Sequence, residues 1–248
     1  MNKSPGKICI EDNLDDLLAF YYGKYSYHPL KIKSWSRGIR YSAVMLENGN
    51  IGVCANLNCG ELKSSPPDSN NLDLVKLSHR VWFQAYLNAA VNYKNSLPLK
   101  NDIAEIVDFP KGSLVVMVGL FKPVLNRLIN KQIQVNVYDL KFQNITPYYF
   151  KSLQNDLHRA SAVILTATSI TNLTFKEILS KSNDSAHIYI LGPSTVMDDQ
   201  MFKLNRIDGL FGMKFKPEDR RVLEIIGKGG GTKDFVKFAE KVGRLKNT

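Results

Sequence analysis

The chain has 248 residues, enough for two modest domains or one large one. At 44% hydrophobic and 23% charged, its composition is that of a globular protein and excludes disordered and fibrous classes. Thirty-three basic residues against 23 acidic ones give a formal charge of +10, which raises an anionic partner, but the cations are dispersed and no nucleic-acid reader motif accompanies them, so nucleic acid is disfavoured.

No apolar run reaches the roughly 18 to 20 residues of a membrane span, and residues 1–7 lack the apolar stretch of a signal peptide, so a cytoplasmic protein without membrane insertion is expected. Cys9, Cys54 and Cys59 are odd in number and unsuited to a disulfide scaffold. Neither they nor His28, His79, His158 and His187 show the paired spacing of a metal site, so no metal ligands are assigned.

Along residues 12–25, Leu14, Leu17, Leu18, Tyr21 and Tyr25 recur at three- and four-residue intervals, which predicts an amphipathic helix. After Pro29 the chain turns β-prone. Residues 41–46 and 51–55 flank Asn48-Gly49 and predict a hairpin. The polar stretch 63–71 predicts a loop, residues 72–91 a helix and residues 103–107 a short helix. Pro98, Pro110 and Gly112 punctuate the segment where a domain boundary is expected, giving domains 1–108 and 109–248.

From Ser113 nearly continuous apolar runs alternate with helical patterns, the signature of strands covered on both faces of a parallel sheet. Strands are predicted at 114–118, 134–138, 162–166, 187–191 and 209–213. Helices are expected to start near Pro123, Pro147, Thr174, Asp198 and Pro217, with Thr174 and Glu177 forming a capping box. Beyond Gly227 to Gly231, Lys233, Lys237, Lys241, Arg244 and Lys246 alternate with Phe235, Phe238, Val242 and Leu245 as in a terminal amphipathic helix. The fold class is α/β, with a Rossmann-like parallel-sheet domain from about Ser113 onward.

Open parallel sheets bind ligands where loops leave the carboxyl ends of the strands. The candidate loops carry Gly119, Phe121 and Pro123; Asp139; Thr168, Thr171 and Asn172; and Gly192, Pro193, Ser194 and Thr195. The dinucleotide fingerprint fails, because Phe121 and Val124 replace its second and third glycines. Asp139 lies where a ribose-binding acid would, although a strand-end turn carboxylate is the stronger reading. The short hydroxyl and amide side chains suit a polar ligand and serve capping and turn formation equally. No nucleophile–base pair, paired carboxylates or phosphate loop is evident, so no catalytic residue is assigned.

The segments 38–53, Leu87-Asn88-Ala89, 118–123, 165–172 and 191–195 resemble a prokaryotic family described as putative heavy-metal chelation proteins. The resemblance implies a small α+β domain like the enolase N-terminal domain, followed by the Rossmann-like domain, with a ligand site in the cleft between them. It places Tyr41, Ser42 and Asn88 opposite the strand-end loops. The expected activity is small-molecule binding, with any metal arriving already complexed to an organic ligand. An enzyme using a nucleoside-containing cofactor such as S-adenosylmethionine is the alternative. Ligand identity, reaction and oligomeric state, including a homo-oligomer, stay open.

Overall fold

The computed structural model describes residues 15–57, 65–94, 97–140, 146–204 and 206–246. Asp16 starts α1 (Leu17–Tyr25) by accepting hydrogen bonds from the N–H groups of Leu18 and Ala19 at 3.0 and 3.2 Å. The helix expected from residue 12 therefore begins at Leu17, and the Leu14 part of that expectation lies outside the described residues.

Three antiparallel strands follow: β1 (Ile32–Arg37), β2 (Tyr41–Leu46) and β3 (Ile51–Ala55), in the order β1-β2-β3. The Asn48-Gly49 turn joins β2 to β3 as predicted, with Asn48 Oδ1 accepting from Asn50 N–H at 3.1 Å. Alternation along β2 and β3 divides their side chains. Val44, Leu46 and Cys54 face α2 (Leu77–Val91), whereas Ala43, Met45, Ile51 and Val53 face the other way. At Gly52 helix and strand backbones touch: an added Cβ would lie 2.1 Å from Ala85 O and 2.3 Å from Ala89 N. Alpha-2 starts five residues later than expected, because the carboxylate of Asp73 accepts the N–H of Val75 in a turn before it.

After α3 (Ile103–Ile106) the second sheet begins. It alternates β4 (Leu114–Val118), α4 (Lys122–Asn130), β5 (Gln134–Tyr138), α5 (Pro147–Arg159), β6 (Ala162–Thr166), α6 (Thr168–Thr171), α7 (Phe175–Lys181), β7 (His187–Leu191) and β8 (Ile207–Phe215). Next come α8 (Arg221–Gly227), α9 (Thr232–Phe235) and β9 (Ala239–Leu245). The strand order is β5-β4-β6-β7-β8-β9, with β5 to β8 mutually parallel and β9 antiparallel to β8. Four of the predicted parallel strands coincide with the observed ones, and the fifth is longer at both ends.

Four expectations are corrected. The terminal segment is no long helix: α9 ends at Phe235, a 3-10 turn covers Val236–Phe238, and β9 pairs with β8, whose edge groups would otherwise lack partners. The helix expected near Asp198 is a 3-10 helix, Asp199–Leu204. Pro217 lies in a turn closed by Asp219 N–H on Lys216 O at 3.2 Å, so α8 starts only at Arg221. Thr174 makes no capping box, because its backbone is already helical and Glu177 pairs with Lys181; Asn172 Oδ1 instead accepts from Thr174 N–H and Oγ1 at 3.2 and 2.8 Å.

Alternate residues of the central strands feed two cores. Val116, Val163, Leu165, Ile188 and Ile190 join a cluster containing Leu18, Trp82, Phe83 and Leu87 of α1 and α2. On the opposite face Val115, Met117 and Ile164 pack with Ile103, Val124 and Leu128. A third cluster sets the outer face of the three-stranded sheet against Val222, Ile226 and Phe235 of α8 and α9. Among the described residues no helix is long and apolar enough to cross a membrane.

Candidate functional site

Beta-4 connects through α4 to β5 on one side, and the chain then returns through α5 to β6 on the other side of β4. The loops after β4 and β6 thus leave toward opposite faces of the sheet, and it is at such a switch point that open α/β sheets bind ligands. Gly119 turns the first loop at φ +93°, a conformation that favours glycine. Its N–H donates to Tyr138 O at 2.7 Å, and the N–H of Leu120 donates to Asp139 Oδ2 at 2.7 Å. The two loops touch, since a Cβ on Gly119 would lie 2.8 Å from that of Thr166.

On the β6 side the Thr166 and Thr168 hydroxyls are 2.9 Å apart and half-buried. From the β4 loop, Phe121 lays its ring against Gly192 at the end of β7, 3.5 Å from where a Cβ would stand. Phe121 precedes α4 without a capping side chain, and Pro123 occupies the first helical turn, exposed. Gly119, Phe121, Thr168 and Gly192 are therefore brought together with Thr166, and Asp139 fixes the loop beneath them. Burial, followed by the charge of Asp139, raises the pKa of Tyr149 and holds its hydroxyl neutral.

The remaining candidates are engaged in packing. Thr171 Oγ1 donates to Gln84 Oε1 at 2.5 Å, and Asn172 holds the start of α7. Ser194 Oγ accepts from Ala55 N–H at 3.0 Å, Thr195 Oγ1 lies 2.8 Å from the carbonyls of Gly192 and Phe211, and Pro193 is half-buried between them. Three residues expected to face the loops point elsewhere. Ser42 is buried and donates to Asn56 Oδ1 at 2.8 Å. Tyr41 meets Thr232 at 2.8 Å and stands edge-on to Phe235, and burial raises its pKa. Asn88 donates to Val53 O at 3.0 Å beneath β3, its Oδ1 without a partner among the described residues.

What closes the loops against the first sheet is a buried polar stripe that the sequence reading missed. Arg80, Gln84, Asn88 and Asn92 recur every fourth residue along α2 and its C-cap, all buried. Arg80 donates to Thr171 O and Ile170 O at 2.6 and 2.8 Å, and Gln84 to Ala167 O and Ser194 O at 3.2 and 2.8 Å. Asn92 donates to Thr195 O at 2.9 Å and accepts from Met197 N–H at 2.8 Å. Polar residues at intervals of four along a mostly apolar helix were the available signal.

Among the described residues no three His, Cys, Asp or Glu side chains converge to hold a metal ion. The site offers hydroxyls, backbone amides and one aromatic face, a donor set that does not fit a soft metal ion held directly by protein ligands.

A family model described as putative heavy-metal chelation, DUF364, matches residues 102–244. A DUF364 protein of unknown function from Pyrococcus horikoshii is similar in fold, with a TM-score of 0.72 at 20% identity over 86% of this chain and 92% of that one. Another of unknown function, from Desulfitobacterium hafniense DCB-2, gives 0.67 at 19% identity over 87% and 91%. No curated protein matches the sequence.

Proposed function

Since the chain belongs to the DUF364 family, described as putative heavy-metal chelation, we propose that it binds a small polar organic ligand at the ends of β4 and β6 and takes heavy metal only as a preformed chelate of that ligand. The observation that supports this reading is the meeting of the strand-end loops: Gly119 approaches Thr166, the Thr166 and Thr168 hydroxyls face each other, and the Phe121 ring lies against Gly192. Half-buried hydroxyls there can exchange their mutual hydrogen bond for bonds to carboxylate or hydroxyl groups of a ligand. A chelate presents such groups on its outside while keeping the metal within, which reconciles the family description with the absence of a ligand cluster among the described residues.

Titration calorimetry with nickel citrate, free nickel and free citrate tests this. Binding of the complex is expected to weaken about tenfold in Thr168→Val and Phe121→Ala, and to persist in the exposed-surface variant Lys111→Gln. If a panel of metal chelates gives no heat, or both site variants bind as wild type, the reading fails. An enzyme acting with a nucleoside cofactor is the competing outcome, marked by S-adenosylmethionine alone raising the melting temperature.

A further inference from the structure

At the carboxyl end of β8, away from the β4 and β6 loops, a groove of about 430 Å³ runs between residues 214–221 and 237–240. Its volume falls within the range of small-ligand sites. Phe238 lines it, with the Arg221 guanidinium 4.4 Å and the Lys237 ammonium 5.2 Å from the ring centroid. Arg221 is fixed further by paired bonds of 2.7 and 2.6 Å to Asp219, and Lys214 rests 4.9 Å from the Tyr93 ring. The groove's second carboxylate, Glu240, is paired with Lys100 at 2.8 Å.

Both lining acids thus have cationic partners, while Lys214, Lys216 and Lys237 form no ion pair with any described acid. Three uncompensated ammonium groups around one concavity raise the local concentration of anions. Aromatic support holds two of them in place, which lowers the entropy lost when they close on a ligand. Because cations already occupy the Phe238 ring, charge rather than stacking must provide the recognition.

We propose that this groove binds a small oxyanion-rich ligand with two or more linked anionic groups, a condensed phosphate or a polycarboxylate. Calorimetry on the full chain at low salt, with tripolyphosphate and citrate as probes and orthophosphate as the singly coordinating comparison, tests it. One polyanion should bind better than orthophosphate, and which of the two does so identifies the source chemistry. Lys214→Gln with Lys237→Gln should weaken that binding about tenfold, whereas Lys111→Gln with Lys203→Gln, both exposed, should not. Citrate heat retained in this groove variant but lost in Thr168→Val belongs to the other site and counts against the groove. The proposal is overturned if neither polyanion binds, if the control pair loses as much, or if a single-stranded oligonucleotide binds more tightly through the same lysines. Unchanged circular dichroism of the variants shows that a loss is not unfolding.

Discussion

Arg80 is 1% exposed, yet each of its donors is used: two backbone carbonyls of the β6–α7 connection, the carbonyl of Leu74 at 3.2 Å and, as a fork, both oxygens of Asp16 at 2.6 and 2.9 Å. Arg80→Met should cost about 3 kcal/mol in urea unfolding, since Asp16 and the carbonyls lose their partner together, and Arg80→Lys should recover little because a lysine cannot present the fork. Gly52 makes the opposite demand, for absence. Gly52→Ala should destabilise by about 3 kcal/mol, because the new methyl would stand inside the backbone of α2. His79 gives the chain an acid sensitivity. Its Nδ1 accepts from Asp73 N–H at 2.9 Å, and burial, then Lys76, lowers its pKa from 6.5. A depressed folded pKa means that the unfolded chain binds the proton more readily, so this contribution is full above 6.5 and is lost as pH falls through the lowered value. The melting temperature should therefore fall as the pH drops below 6.5, and fall less in His79→Gln.

The parallel strands could be read from the chain because burial on both faces leaves continuous apolar runs such as Leu114–Val118 and Ala162–Thr166. Beta-9 could not. Its segment spaces Phe235, Phe238, Val242 and Leu245 as a helix would, and only the open edge of β8, distant in sequence, selects the extended form. The Thr174–Glu177 spacing misled for a similar reason: Asn172, two residues earlier, takes the Thr174 N–H that Glu177 would have bonded. Asn172→Ala should cost about 1 kcal/mol by thermal denaturation, whereas Glu177→Gln should change stability by less than about 0.5 kcal/mol. The strand-end loops were legible by the same logic as the strands, but the fate of their side chains was not. Ser194 and Thr171 look like ligand contacts until Ala55 and Gln84, more than 80 residues away in sequence, are placed beside them. Gly119 and Phe121 keep their expected place because a glycine turn and a strand-end position are local properties.

One core cluster joins Leu18, Trp82 and Leu87 to Val116, Leu165 and Ile190, so the two sheets share their apolar interior, and α8 and α9 return to cover the first sheet. Melting should accordingly be one transition, with equal calorimetric and van't Hoff enthalpies. A fragment of residues 109–248 should bind a hydrophobic dye and lose its near-ultraviolet dichroism, for without α2 one face of its sheet is bare. Two independent transitions would show that the halves are separable. The every-fourth-residue stripe on α2 has a last consequence. Its Arg80, Gln84 and Asn92 side chains grip carbonyls of the chain segments that follow β6 and β7, like the teeth of one key, so sliding the helix by a turn would disengage all three at once. The loops after β6 and β7 are thus already fixed by the fold, so a ligand of the kind proposed above would spend little affinity on arranging them.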